Sequence, residues 1–142
     1  MDDERIARPT LGAGKICYLE IPAEDVEASA RFYATVFGWR IRRRGDGATA
    51  FDDGVGEVSG AWVTGRPPMS EAGLLVYVMV EDADATVAKV EAAGGRVVAP
   101  VDRSGEVVAR VLDPAGNLVG VYEQPGLADA SAAADPAEEA VR

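Results

Sequence analysis

The sequence predicts an α+β fold built from two tandem βαβββ modules. The composition, with 48% hydrophobic and 27% charged residues, is typical of a globular domain. The order strand, helix and three strands can be followed twice along the 142 residues. A shift of 57 positions also aligns Asp25 with Asp82 and Gly38 with Gly95, at the starts and ends of the two predicted helices.

The first module begins with a mostly apolar run, Lys15–Ile21, which predicts a strand ended by Pro22. Asp25 is a good N-cap, and apolar residues then recur at helical spacing up to Phe37, directly before Gly38. The remaining strands are predicted at 39–43, 48–51 and 55–64, with a hairpin turn at 45–47.

The second module repeats this pattern after a proline-containing linker at 66–68. The apolar run Leu74–Val80 predicts a strand, and Asp82 caps a helix over Ala83–Ala93 that ends at Gly94 and Gly95. The remaining strands are predicted at 96–101, 106–112 and 118–123, with turns at 104–105 and 113–117.

These patterns divide the chain into a flexible N-terminal arm (1–14), module one (15–65), module two (73–125) and an acidic, Ala-rich tail (126–142) that is expected to be disordered. The net charge of −10 argues against nucleic-acid binding. No apolar run approaches the length of a membrane span, and the acidic start is unlike a secretory signal. A single cysteine, Cys17, excludes an internal disulfide. Together these features predict a cytoplasmic location.

Three segments carry a resemblance to a known family: EIPAEDVEASARFYATVFGW (20–39), VEDADATVAKVEAAGGRVVAP (80–100) and DPAGNLVGVYEQP (113–125). They are similar to segments of the vicinal oxygen chelate superfamily, which includes glyoxalase I, extradiol dioxygenases, fosfomycin-resistance enzymes and bleomycin-resistance proteins. The resemblance implies that the two sheets curve into a cup with the helices outside. By the same analogy, the chain is expected to form a homodimer.

In metal-dependent members of this superfamily, the cup holds a divalent ion between a His on the first strand of each module and a Glu or similar residue on the last. The matching positions here are Tyr18, Leu75, Gly120 and, in module one, Gly60. The chain contains no histidine at all, and these residues cannot supply three or four nitrogen or oxygen ligands. We therefore expect no metal site and no cofactor.

Strand alternation predicts which side chains enter the cup. Cys17 should lie on the opposite side, buried against the helices. Much of the aromatic content is expected to converge in the cup, where rings suit a flat or partly apolar ligand, although such a cluster can equally pack the cup shut. The predicted ligand-binding residues are Tyr18, Glu20, Trp62, Leu75, Tyr77, Met79, Leu118 and Tyr122.

The leading hypothesis is a metal-free protein that binds a small aromatic or amphipathic molecule, similar to the bleomycin-resistance branch. An alternative is a metal-independent enzyme of the same superfamily, a lyase or isomerase, with Glu20 as general base and Tyr18, Tyr77 or Tyr122 as the proton donor; Glu20 and Tyr18 are the candidate catalytic residues. A further alternative is a glyoxalase-like or dioxygenase-like enzyme with a non-standard metal site.

Overall fold

The computed structural model describes residues 9–13, 15–71 and 73–127. The predictions for residues 1–8 and for the tail from 128 onward lie outside the described residues. Module one contains β1 (Tyr18–Pro22), α1 (Val26–Phe37), β2 (Arg40–Arg43), β3 (Thr49–Asp52) and β4 (Ser59–Val63). Module two contains β5 (Tyr77–Val80), α2 (Ala83–Ala92), β6 (Arg96–Asp102), β7 (Val108–Leu112) and β8 (Leu118–Glu123). No helix in the described part of the chain is long and apolar enough to cross a membrane.

The two modules share one sheet topology. Each sheet has four strands, in the order β1-β4-β3-β2 in module one and β5-β8-β7-β6 in module two. The first strand of each module lies at an edge and runs parallel to the last, which pairs Tyr18 with Ser59 and Tyr77 with Gly120. The remaining pairs are antiparallel. The predicted α+β fold of two βαβββ modules is therefore confirmed.

Some predicted strands are shorter in the structure. The strand predicted at 55–64 begins only at Ser59, because residues 53–56 form a turn in which the Gly56 amide donates to the Asp53 carbonyl. Likewise, regular pairing on β5 begins at Tyr77 rather than at Leu74. In both cases the predicted strand extends beyond the residues that find a partner in the sheet.

Both helices begin as predicted. The Asp25 side chain accepts a hydrogen bond from the Ala28 amide, and the Asp82 side chain accepts one from the Ala85 amide. Helix α1 ends at Gly38, whose φ of 74° lies in the left-handed region that glycine tolerates. In module two the left-handed residue is Gly94 (φ 98°), one position before the Gly95 that the repeat alignment suggests.

The cores of the two modules differ in composition. Six aromatic residues pack in module one, with the rings of Trp39 and Phe51 stacked at 4.5 Å between centroids. They are Phe32, Tyr33, Phe37, Trp39, Phe51 and Trp62. The buried core of module two is mainly valine, at Val80, Val90, Val111, Val119 and Val121.

A turn of module two, residues 113–117, ties the modules together. The Tyr33 hydroxyl donates to the buried Asp113 carboxylate at 2.8 Å, and the Asn117 amide donates to the Pro22 carbonyl at 2.7 Å. The Asn117 side chain also accepts from the Met69 amide in the linker. Burial, together with the nearby Asp113 carboxylate, raises the pKa of Tyr33 well above its usual value. We call this set of contacts the clasp.

Candidate functional site

Each sheet has one face packed on its helix and one face without a helix, which we call the open face. In β1, Leu19 and Ile21 pack against the core. Tyr18 and Glu20 alternate with them and therefore lie on the open face, where Tyr18 remains 43% exposed. Their face agrees with the alternation predicted from the sequence.

In module two, Val78 and Val80 of β5 face the core, so Tyr77 and Met79 lie on the open face. Tyr122 pairs with Met79 and shares this face. Leu118 alternates with the core residue Val119 on β8 but is itself buried. Leu75 is half-buried and precedes β5. Whether any of these residues binds a ligand stays a prediction.

The predicted position of Trp62 in the cup is wrong. Trp62 pairs with Ile21, and its ring lies 5.9 Å from that of Tyr33 on α1, so the side chain is buried beneath the helix. The error is a one-residue slip in aligning the modules. Glu20 pairs with Ala61 as its counterpart Tyr77 pairs with Gly120, so Ala61, not Gly60, matches Gly120.

Two further expectations are corrected. Of the nine aromatic residues in the chain, six pack in the core of module one and only Tyr18, Tyr77 and Tyr122 lie on open faces. Cys17 is exposed rather than buried, because it precedes β1.

The positions that match the family's metal ligands do not fit a metal. With the corrected alignment they are Tyr18, Leu75, Ala61 and Gly120, which offer one phenol and no imidazole or carboxylate. The ring of Tyr77 also lies directly over Gly120, so that a Cβ atom added there would come within 2.4 Å of its Cδ1 atom. Within residues 9–13, 15–71 and 73–127, no three His, Cys, Asp or Glu side chains form a group that could hold a metal ion.

The two candidate catalytic groups are each engaged by an arginine. The Glu20 carboxylate forms an ion pair with Arg66, and both side chains are about half exposed. The Tyr18 hydroxyl accepts a hydrogen bond from Nη1 of Arg44 at 2.7 Å. Glu20 thus lacks the apolar burial that would prepare a carboxylate to act as a general base.

An apolar cavity of about 310 Å³ lies between the modules, and its wall along β1 and β5 is made mainly, though not entirely, by residues that face the helices. Of the predicted site residues, only Glu20 and Leu118 line it. Its walls come from β1, the end of α1, the linker, β5 and β8: Leu19, Glu20, Ile21, Pro22, Tyr33, Trp39, Arg66, Met69, Leu74, Val76, Val78, Asn117, Leu118 and Val119. Leu19, Ile21, Val76 and Val78 alternate along the chain with the predicted cup residues, which indicates the helix side for them, but no sequence signal shows that the docked modules leave a gap there.

Known proteins resemble the chain over most of its length. A glyoxylase-like domain-containing protein of Didymella fabae is 28% identical over 130 residues, covering 80% of this chain and 96% of that protein. The protein CFP32 of Mycobacterium bovis is 28% identical over 116 residues, which cover 75% of this chain but only 44% of the relative. TnmS3, an antibiotic binding protein from Streptomyces sp. CB03234, has a similar fold, with a TM-score of 0.60, 21% identity, and coverage of 80% of this chain and 98% of TnmS3.

The family model for this fold matches residues 15–121, which include every strand and helix except the end of β8. The matched region contains both modules, the clasp and the cavity. The chain belongs to the glyoxalase/bleomycin resistance protein/dioxygenase superfamily.

Proposed function

We propose that the chain is a metal-free binding protein for a small aromatic or amphipathic molecule, which it holds in the cavity between the modules. The observation that carries this proposal is the cavity itself. Its volume of about 310 Å³ falls in the range of small-molecule sites, and its lining is largely aliphatic and aromatic.

The polar groups of the cavity favour an amphipathic ligand. Glu20 and Arg66 line it as a half-exposed ion pair, so they lie where the cavity meets solvent. Tyr33 and Trp39 provide ring surface inside. A flat apolar ligand can pack on these rings while a polar end reaches the ion pair.

The residues at the four family ligand positions support a mode of action without a metal. They supply no set of metal-coordinating atoms. The Tyr77 ring also covers Gly120, the position at which metal-dependent members of the family carry a metal-ligating side chain. TnmS3, whose fold is similar, is an antibiotic binding protein, and this supports the proposal of a binding role. An enzyme that uses Glu20 as its base has less support, because Arg66 pairs with that carboxylate in a half-exposed position.

The test is a titration of intrinsic tryptophan fluorescence with a panel of flat aromatic compounds and antibiotics. Trp39 lines the cavity, so a bound ligand should change its emission in a saturable way. Val76→Phe fills part of the cavity and should weaken binding by about tenfold or more. Val98→Phe, on an exposed position of β6 away from the cavity, is the matched control and should leave binding unchanged.

A panel that leaves the emission unchanged would overturn the proposal, as would equal binding by Val76→Phe and the wild type. Glu20→Gln separates the two functional hypotheses. If the chain is a binding protein, this variant should still bind an uncharged ligand. If the wild type instead converts a ligand to product and Glu20→Gln abolishes that reaction, the enzyme hypothesis is favoured.

A further inference from the structure

A groove runs between the two helices, which contact each other across the modules. It consists of two cavities that share Thr35 and Lys89. The first, of about 400 Å³, lies between the end of α1 and the start of α2, and the second, of about 550 Å³, lies between residues 28–35 of α1 and the end of α2. Neither has a lining residue in common with the cavity between the modules, so the groove is separate from the proposed binding site.

The charge of the groove changes sign along its length. The first cavity is lined by Glu81 and by Asp82, the cap of α2, and it also reaches Lys89. The second cavity is lined by the two cations Arg31 and Lys89, and among the described residues no carboxylate lines it. The groove therefore has an acidic end at the start of α2 and a basic end between Lys89 and Arg31.

The two cations of the basic end have no acceptor in the structure. Within residues 9–13, 15–71 and 73–127, neither Arg31 nor Lys89 forms an ion pair or a side-chain hydrogen bond. Other cations of the chain do so: Lys15 pairs with a carboxylate at 2.7 Å, and Arg103 pairs with one at 2.6 Å. In a chain whose net charge is −10, two neighbouring cations without a carboxylate form a local positive site.

The last described residue of the chain lies at the acidic end of this groove. Gly126 has a φ of 88°, and the Leu127 amide donates to the Gln124 carbonyl at 3.1 Å. This turn brings the half-buried Leu127 into the lining of the first cavity. Residues 128–142 of the tail therefore continue from a point within the groove.

The charges of the tail follow the same order as those of the groove. Residues 128–134 contain one carboxylate, Asp129, whereas residues 135–139 contain Asp135, Glu138 and Glu139. An extended chain spans at most about 3.3–3.6 Å per residue, so residues 128–135 can cover about 26 Å. At about 1.5 Å per residue, the 10 residues of α2 cover only about 15 Å, so the acidic part of the tail reaches the basic end of the groove.

We propose that residues 135–139 of this chain bind in the basic end of the groove, with their carboxylates on Arg31 and Lys89. The walls there are otherwise mostly small residues, such as Ala28 and Gly94, which leave room for an alanine-rich segment. Exposed ion pairs are weak, but tethering at Leu127 gives the segment an effective concentration on the order of millimolar at the groove. Because Arg31 belongs to module one and Lys89 to module two, the bound segment bridges the modules.

Carbodiimide cross-linking of the full chain tests this proposal, because the reagent joins a lysine amine to a carboxylate in contact with it. The chain's only lysines are Lys15 and Lys89. At low salt, peptide mapping by mass spectrometry should find Lys89 joined to carboxylates of residues 135–139 within a single chain. Lys15 should be joined to Glu57, its partner at 2.7 Å, and not to the tail, which makes it the internal control.

Salt and one substitution show whether the contact is electrostatic and includes Arg31. Raising the ionic strength from 0.01 to 1 M shortens the Debye length from about 30 to about 3 Å, so the yield of the Lys89 cross-link should fall severalfold. Arg31→Gln should lower that yield by about two- to threefold at low salt. The control Arg43→Gln removes the same charge at a position outside the groove, where Nη1 bonds the Gly47 carbonyl, and should leave the yield unchanged.

Several outcomes would overturn the proposal. One is a Lys89 cross-link confined to Asp129, which lies beside the tether, and another is the absence of any tail cross-link while Lys15 is joined to Glu57. A Lys89 cross-link found only between two chains would make the occupant a second copy. Equal yields in Arg31→Gln and Arg43→Gln would remove Arg31 from the site.

Discussion

Module one and module two have the same strand order but differ in the side chains of their cores and open faces. Module one packs six aromatic rings under α1 and carries arginines, Asp52 and Ser59 on its open face. Module two packs valines under α2 and exposes Tyr77 and Met79. What the modules share is found at the helix caps, in the strand order and in the parallel pairing of first and last strands.

This difference separates the determinants of fold from those of chemistry. Asp25 and Asp82 hold equivalent positions and make the same capping hydrogen bond. Glu20 and Tyr77 hold equivalent positions on the first strands, yet one forms an ion pair and the other covers a glycine. Backbone geometry therefore preserves the repeat, while side chains on the faces are free to diverge.

The largest expected difference between the modules is in core truncation. Phe51 is fully buried and touches the rings of Trp39 and Trp62, so Phe51→Ala should lower the free energy of unfolding by about 3–5 kcal/mol. Val121→Ala, at a fully buried site of module two, should cost about 2 kcal/mol. Urea unfolding measures both, and equal losses would contradict a division into aromatic and aliphatic cores.

The two glycines on the last strands should respond unequally to alanine. At Gly60 a Cβ atom would lie 2.1 Å from the Leu19 carbonyl oxygen, a backbone atom that cannot turn away. Gly60→Ala should therefore cost about 3 kcal/mol. At Gly120 the obstacle is the half-exposed Tyr77 ring, which can rotate, so Gly120→Ala should cost about 1 kcal/mol.

The double variant Gly120→Ala/Tyr77→Ala sharpens this prediction. If the ring is the obstacle, the added methyl group should cost less in the Tyr77→Ala background than in the wild type, as read from urea unfolding. An equal cost in both backgrounds would show that the strain at Gly120 comes from the backbone.

The last expected effect concerns the contact that joins the modules. Tyr33→Phe removes the hydrogen bond to Asp113 and should cost about 1–3 kcal/mol at neutral pH. Because the pKa of Tyr33 is raised in the folded state, its contribution is fully present below the usual tyrosine pKa and is lost as the pH rises through the folded-state value. The difference in stability between wild type and variant should therefore shrink in alkaline solution, and a difference that grows there would contradict this assignment.

Local signals predicted most of the fold. The caps at Asp25 and Asp82, the apolar runs and the turn residues each act within a few positions, so the sequence exposes them directly. The face of Trp62 was missed because it depends on the register of β4 with β1, which joins residues about forty positions apart.

The site was harder to predict than the fold because its contacts are long-range. Glu20 meets Arg66 across 46 positions, and Tyr18 meets Arg44 across 26. The cavity depends on how the two folded modules dock. The hydrophobic pattern of each module predicts its own strands and helix but not the space left between the modules. The composition carried one chemical signal: the chain contains no histidine, the residue that metal-dependent members of the family use on the first strand of each module.

The clasp has a thermodynamic consequence for any molecule in the cavity. Tyr33, Pro22, Met69 and Asn117 join the modules through hydrogen bonds, and the same four residues also line the cavity. Separating the modules would therefore dismantle the pocket walls at the same time. Ligand binding and module docking are therefore linked equilibria. A ligand that binds only when the modules are docked stabilises the docked state, by an amount that grows with its concentration relative to its dissociation constant.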